Sequence, residues 1–303
     1  MNRKKVLKYF LSLMILCIQL PVAGQSNGLI SQYMFNRLLI NPGYSGNEEC
    51  LSVTFLHKNQ WSGVAGAPVT NIISAHTPFN NRNGLGLSVI NDQSGGLSQN
   101  GLFGSYAYRI KGQDYVLSMG LQAGITFYRY QPLFVRDMDD PVFEGQETAL
   151  VEPDFGTGLY YENKNMYMGI SVPQLFSFGK NENISYSLQR KSYIFDAGYS
   201  FKLSDAFTVS PTTLIYLKNK HKPEINININ LLFDEKIWFG VLYRNLDNLG
   251  FLCKVHVTPQ IQMGYGYDIT TGKLSSLSGS SHEIMLKYSF IKVEKNVVSP
   301  RFF

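Results

Sequence analysis

The sequence predicts an all-β protein: a transmembrane antiparallel β-barrel of about fourteen strands, with a short N-terminal arm before it. Three observations carry that reading. The first is a stretch in which Ile225, Ile227, Ile229 and Leu231 alternate with Asn226, Asn228 and Asn230. A period of two with one apolar and one polar face marks a strand whose faces meet different surroundings. After Asp234-Glu235, Ile237, Phe239, Val241 and Tyr243 alternate in the same way with Trp238, Gly240, Leu242 and Arg244. Each arm of this hairpin is about the ~9–11 residues that a tilted strand needs to cross a bilayer. The second observation is composition. Aromatic residues make up 14% and charged residues only 16%, against roughly a quarter charged in soluble domains. The third is the spacing of connections, short on one rim and long on the other.

Taken in order, residues 1–24 read as an export signal. Arg3, Lys4, Lys5 and Lys8 form its basic region, Phe10 to Leu20 its apolar core, and Val22-Ala23-Gly24 its cleavage site. Cys17 follows Ile15-Leu16 rather than a small residue, which argues against a lipoprotein anchor. Most of the net charge of +5 sits in this segment, so the chain gives no reason to expect a nucleic-acid partner. No later run of ~18 apolar residues offers a membrane helix. Residues 25–49 read as an N-terminal periplasmic or plug arm, 50–290 as the barrel, and 291–303 as a periplasmic tail. Cys50 and Cys253 allow a disulfide in an oxidising compartment, but nothing in the sequence places them within reach, and they read as two free thiols.

The candidate strands are 50–61, 69–77, 84–92, 99–110, 114–127, 153–161, 165–172, 192–203, 206–217, 224–233, 236–246, 249–258, 260–269 and 282–290. Short connections follow the even-numbered strands, as at Lys111-Gly112-Gln113 and Ser204-Asp205. Long ones, 128–152, 173–191 and 270–281, follow odd-numbered strands. That asymmetry is the plan of an outer-membrane barrel with its termini in the periplasm, and it places the long loops outside. Trp61, Phe79, Phe127, Tyr128, Trp238 and Tyr267 near strand ends suit interfacial girdles.

Catalytic and metal chemistry is not legible. His57, His76, His221, His256 and His282 lack metal-ligand spacing. No Ser–His pair suited to a membrane lipase stands out, and no cofactor is expected. The glycines of Gly84-Leu85-Gly86 and Gly264-Tyr265-Gly266 open no helix, so they are read as room for a side chain or plug at the wall. Asp137, Asp139, Asp140, Glu144 and Glu147 lack the ligand spacing of a calcium loop and read as a solvated loop. Lumen-facing candidates are Asn226, Asn228, Asn230, Arg244, Lys254 and His256.

The arm is the stretch with the clearest functional expectation. Tyr33, Met34, Phe35, Leu38, Leu39 and Ile40 in water would expose apolar surface at ~25 cal/mol per Å². Residues 28–46 are therefore expected to pack on the periplasmic mouth or into the lumen. Asn41-Pro42-Gly43 should turn the chain into the first strand, and the inward Gly120, Gly124, Gly264 and Gly266 should leave room for it. Candidate plug or partner contacts are Tyr33, Met34, Phe35, Asn36, Asn41, Pro42, Trp61 and Gly63.

Several motifs in order resemble the PorP/SprF family of type IX secretion outer-membrane proteins of Bacteroidota. They are Gln32-Tyr33-Met34-Phe35-Asn36, Asn41-Pro42-Gly43, Gln60-Trp61-Ser62-Gly63 with Gly66-Ala67-Pro68-Val69-Thr70, and Gly84-Leu85-Gly86. Further on come Phe155-Gly156-Thr157-Gly158-Leu159-Tyr160, Gly264-Tyr265-Gly266-Tyr267-Asp268 and Ser281-His282-Glu283-Ile284-Met285-Leu286. Gly43 departs from the Ala usual after Asn-Pro in the family. The resemblance implies a non-enzymatic component of the secretion and gliding apparatus in the outer membrane of a Gram-negative bacterium. Its implied partners are a secreted adhesin-like cargo protein, periplasmic parts of the machinery, and outer-membrane lipid. The competing expectation is a channel or transporter for small or hydrophobic solutes, since the lumen-facing set would suit a polar pore.

Overall fold

The computed structural model describes residues 30–130, 148–177, 192–218, 222–245, 248–271, 275 and 279–291. The expected export signal 1–24, the acidic loop residues, His221 and tail residues 292–303 lie outside the described residues. Three 3-10 turns come first, at Tyr33–Phe35, Arg37–Leu39 and Pro42–Tyr44. Strands follow as β1 Ser52–Asn59, β2 Val69–Pro78, β3 Asn83–Ser94, β4 Leu97–Lys111, β5 Tyr115–Tyr130, β6 Thr148–Asn163 and β7 Met166–Ser177. Next are β8 Ser192–Tyr199, β9 Phe201–Lys202, β10 Phe207–Lys218, β11 Glu224–Phe233, β12 Ile237–Arg244, β13 Asn248–His256, β14 Ile261–Thr270 and β15 Ser281–Ser289.

β8 and β9 are two pieces of one stave, since both pair with β10. The described residues therefore make fourteen staves, each antiparallel to the next. β1 pairs with β15 along its whole length, from Ser52–Ser289 to Asn59–His282, and β10 pairs with β11. Every stave thus has two neighbours and the sheet closes into a barrel. The helices number none with the length and hydropathy to cross a membrane among the described residues, and the crossings are made by strands.

Side-chain direction follows from the period of two. On the predicted hairpin, Ile229, Phe239 and Val241 are exposed outward, while Asn226, Asn228 and Asn230 are buried inward. Ile227 shares the outward parity but is buried, in register with Thr213 and Tyr243. The hairpin reverses through Asp234 (φ +48°) and Glu235 (φ +54°), with Lys236 N–H donating to the Phe233 carbonyl at 3.0 Å. Two successive positive φ values match the right-handed twist of the strands.

β5 and β6 run longer than the alternation indicates, Tyr130 pairing with Thr148. Hydrogen bonding continues there beyond the stretch where side chains must choose between lipid and lumen. Two girdle expectations are corrected. Trp238 is buried on the inward face, and Tyr128 shares inward parity with the buried Thr126. Cys50 and Cys253 are free.

Candidate functional site: an arm inside the barrel

The interior of the barrel is occupied by the chain's own N-terminal segment. Tyr33, Met34, Leu38, Ile40 and Tyr44 are buried, as are Gln32, Asn36, Arg37 and Asn41. Covering five such apolar side chains contributes roughly 8–15 kcal/mol before ordering costs, at ~1.5–3 kcal/mol each. Because the arm lies within a ring of inward-facing wall residues, each buried polar group needs a wall partner.

The far end of the arm is held by charged groups near the outer ends of the strands. Glu283 on β15 accepts the backbone N–H of Ser31 at 2.9 Å and of Gln32 at 2.8 Å. The Ser31 hydroxyl donates to Asp268 Oδ2 at 2.5 Å, and Arg244 Nη2 donates to Ser31 Oγ at 3.2 Å. Lys58 Nζ lies 3.8 Å from both Asp268 and Glu283. Removing one member of such a buried set leaves the others uncompensated, so the set fixes the position of Ser31 and Gln32 in the lumen. The Gln32 side chain fills the hollow at Gly264, where a Cβ would fall on Gln32 Oε1.

Midway, aromatic and cationic groups share the lumen. Tyr33 Oη lies 3.1 Å from Asn228 Nδ2 and 3.4 Å from Thr212 Oγ1. Phe35 meets Trp238 edge-on at 5.9 Å, and Lys254 Nζ sits 4.0 Å from the Phe35 ring and 4.9 Å from Trp238. Asn36 exchanges hydrogen bonds with Ser74 at 2.8 and 3.0 Å. The Arg37 guanidinium lies 3.7 Å from the Tyr167 ring, and its Nη1 donates to Tyr160 Oη at 3.3 Å. A cation held over an aromatic face and away from water is worth ~2 kcal/mol.

The next turn rests on a floor of glycines. Asn41 caps the Pro42–Tyr44 turn by accepting Gly43 N–H at 2.8 Å, and its Nδ2 donates to the Leu159 carbonyl at 2.9 Å. A Cβ at Gly120 would fall on the Pro42–Gly43 peptide, and one at Gly158 on the Asn41 amide. The chain does not enter the first strand here, as the Asn-Pro-Gly motif led us to expect. It leaves the lumen three residues later, through Gly46 (φ +68°), which packs on Gly84 and Pro78. Pro42 sits at the first position of a 3-10 turn, where its missing N–H costs nothing, and that turn is internal to the arm.

At the rim of short turns, just before β1, Glu48 contacts Lys287, takes a hydrogen bond from Ser52, and lies 3.7 Å from His76 Nε2. Burial works against its charge, but Lys287 and His76 outweigh that and hold the carboxyl well below its usual range. A cavity of about 160 Å³ remains between Leu38, Leu39, Phe103, Gln122 and Tyr216.

Of the residues singled out by sequence, Tyr33, Met34, Phe35, Asn36, Asn41 and Pro42 come together with Asn226, Asn228, Asn230, Arg244 and Lys254. The asparagines do not line an aqueous pore: all three are at most 1% exposed. Arg244 Nε donates to Asn226 Oδ1 at 2.5 Å. His256 has inward parity at the periplasmic end of β13 and is half-buried. Trp61 and Gly63 are not brought to the arm. They sit in the β1–β2 loop at the opposite rim, where Trp61 N–H donates to Ser281 Oγ at 3.1 Å. Gly124 faces Phe103 rather than the arm. Sequence reasoning passed over Ser31, Arg37, Glu48, Asp268 and Glu283. Asp268 and Glu283 were in plain view in the Gly-Tyr-Gly-Tyr-Asp and Ser-His-Glu motifs, but nothing local says that a distant segment will meet them.

A closed barrel crossing with fourteen staves and an apolar outer wall defines an integral protein of the outer membrane. Residues 22–288 match the family of type IX secretion system membrane proteins PorP/SprF, and the chain belongs to it. It is therefore a membrane component of the type IX secretion apparatus. No curated protein matches the sequence. Among solved structures, the chain is similar to Omp33 of Acinetobacter baumannii, with 8% identity, TM-score 0.50, and coverage of 81% of this chain and 100% of that one. It is similar to the toluene transporter TbuX of Ralstonia pickettii, with 10% identity, TM-score 0.51 and coverage of 89% and 96%. The CymD monoaromatic hydrocarbon channel gives 11% identity, TM-score 0.53 and coverage of 90% and 96%. At such identities the likeness is one of fold.

Proposed function

We propose that this chain is a non-enzymatic, self-plugged accessory of the type IX apparatus that supports export or surface attachment of specific adhesin-like cargo. One observation carries the reading. Apart from the Trp61 stretch at the outer rim, the motifs that carry the family resemblance converge on the arm: Gly84 packs on Ser45 and Gly46, Gly158 and Leu159 hold Asn41, and Tyr160 meets Arg37. Gly264, Asp268 and Glu283 hold Gln32 and Ser31. A diffusion pore has no need of a built-in segment anchored from rim to rim. A protein-handling accessory can use one as a stopper and as a sensor of its partner. On this reading 1–24 is a cleaved leader and 25–49 the plug arm. Cargo and periplasmic partners act at its two mouths, where Trp61 and Gly63 mark the outer one.

The test is complementation in cells lacking the chain. The full chain should restore surface display of adhesin-like cargo, and a chain lacking 28–40 should reach the outer membrane without restoring it. Full display by the shortened chain would overturn the proposal. Uptake of small solutes that depends on the full chain would favour the channel instead.

A further inference from the structure

The outer wall of the barrel is unevenly apolar. On β5, Leu117, Met119, Leu121, Ala123, Ile125 and Phe127 follow one another outward. A strand tilted by ~35–45° gains about 2.5 Å of height per residue, so this run spans the ~25 Å apolar band of an outer-membrane barrel. Round the barrel from β5, toward the first and last strands, the run is shorter. β15 offers Tyr288, Leu286 and Ile284 before His282, and β1 offers Val53 and Phe55 before His57 and Asn59. β2 offers Ala75 and Ile73 before Asn71. With Phe290 and Leu51 counted at the foot of β15 and β1, the apolar height there is about 10–15 Å, roughly 10–15 Å less than a full band.

The polar residues that interrupt it form a ladder across directly paired positions. His57 Nδ1 and Asn71 Oδ1 are 2.8 Å apart. Asn71 Nδ2 donates to Asn91 Oδ1 at 3.3 Å, and Asn91 Nδ2 to Asn100 Oδ1 at 2.8 Å. On the other flank Tyr265 Oη and His282 Nδ1 are 2.7 Å apart. Each amide has two donors and two acceptor sites, so the ladder leaves hydrogen-bonding capacity pointing away from the wall. In hydrocarbon that capacity would be stranded.

We propose that the wall β15–β1–β2–β3 is a docking surface for the polar layer of the outer leaflet, which dips to the ladder and thins the membrane on this side. The ester and hydroxyl groups of lipid head regions suit a row of amides and imidazoles, which carries no lysine or arginine for phosphate. The acyl chains would lie below, on Phe55, Ile73 and Ile284. The thin side coincides with the seam where the first and last strands pair.

The test uses the full chain with Cys50→Ser and Cys253→Ser, alone in nanodiscs of phosphatidylethanolamine and phosphatidylglycerol. Nitroxides are attached at Asn71→Cys, Asn91→Cys and Ile125→Cys in separate samples. Counted from the periplasmic strand ends, Asn71 lies lower on the wall than Ile125. Relaxation by a water-soluble nickel complex should nonetheless dominate at 71 and 91, and relaxation by oxygen at 125. In a further sample, Asn91→Leu should shift a label at Asn59→Cys towards oxygen. Oxygen-dominated relaxation at both 71 and 91 would overturn the proposal and leave a second membrane protein as what covers this wall.

Discussion

Two neighbouring positions on β11 separate the wall from the arm. Ile229 is 46% exposed on the lipid face near the middle of its strand. Arginine there must bring charge into hydrocarbon, at ~2–4 kcal/mol. Asn228 is 0% exposed and lies under the Tyr33 hydroxyl at 3.1 Å. From sequence alone, Asn228→Arg looks harmless, as a polar change toward water. With the arm in place it overfills a packed site, which costs ~1–3 kcal/mol. The two penalties have different origins, so they should respond differently to removal of the arm. In denaturant titrations of the barrel refolded into phospholipid vesicles, Ile229→Arg should cost the same with and without residues 28–40. Asn228→Arg should be costly in the full chain and close to neutral in the shortened one. The difference is a coupling energy between position 228 and the arm. An Asn228→Arg penalty that survives deletion of the arm would refute the placement of Tyr33 against the wall.

Other outcomes follow from the two rims. In a background with Cys50→Ser and Cys253→Ser, Gly63→Cys should react with an impermeant maleimide on intact cells, and Asp205→Cys only after the outer membrane is opened. The reverse pattern would invert the topology. At the periplasmic rim the depressed Glu48 carboxyl adds stability that is fully present above its ordinary pKa of 4.5 and is lost as pH falls through the lower folded value. The stability gap between the full chain and Glu48→Gln, read by denaturant titration, should hold from pH 7 to pH 5 and close only at lower pH. A gap that closes above pH 5 would contradict the Lys287 and His76 pairing.

The wall was legible because lipid and lumen impose a choice on every second residue. Ile229 and Asn230 cannot exchange faces without putting an amide in hydrocarbon, so the pattern is written into the chain at short range. The arm was legible only as a need for cover, from the run Tyr33 to Ile40. Its route was not. That Gly120 must lack a Cβ because Pro42 passes over it is a fact about residues 78 apart in the chain. Likewise Arg37 meets Tyr160 across 123 residues, and Ser31 meets Glu283 across 252. Trp238 was misassigned for a related reason. An aromatic at a strand end suits a girdle or a lumen equally, and here Phe35 and Lys254 decide it.

Conductance across a planar bilayer tests the plug most directly. The purified full chain should insert and remain closed, because the arm fills the lumen from Ser31 to Gly46. The chain lacking 28–40 should insert and conduct ions steadily. A full chain that conducts as well as the shortened one, or a shortened chain that stays closed although folded, would contradict the account.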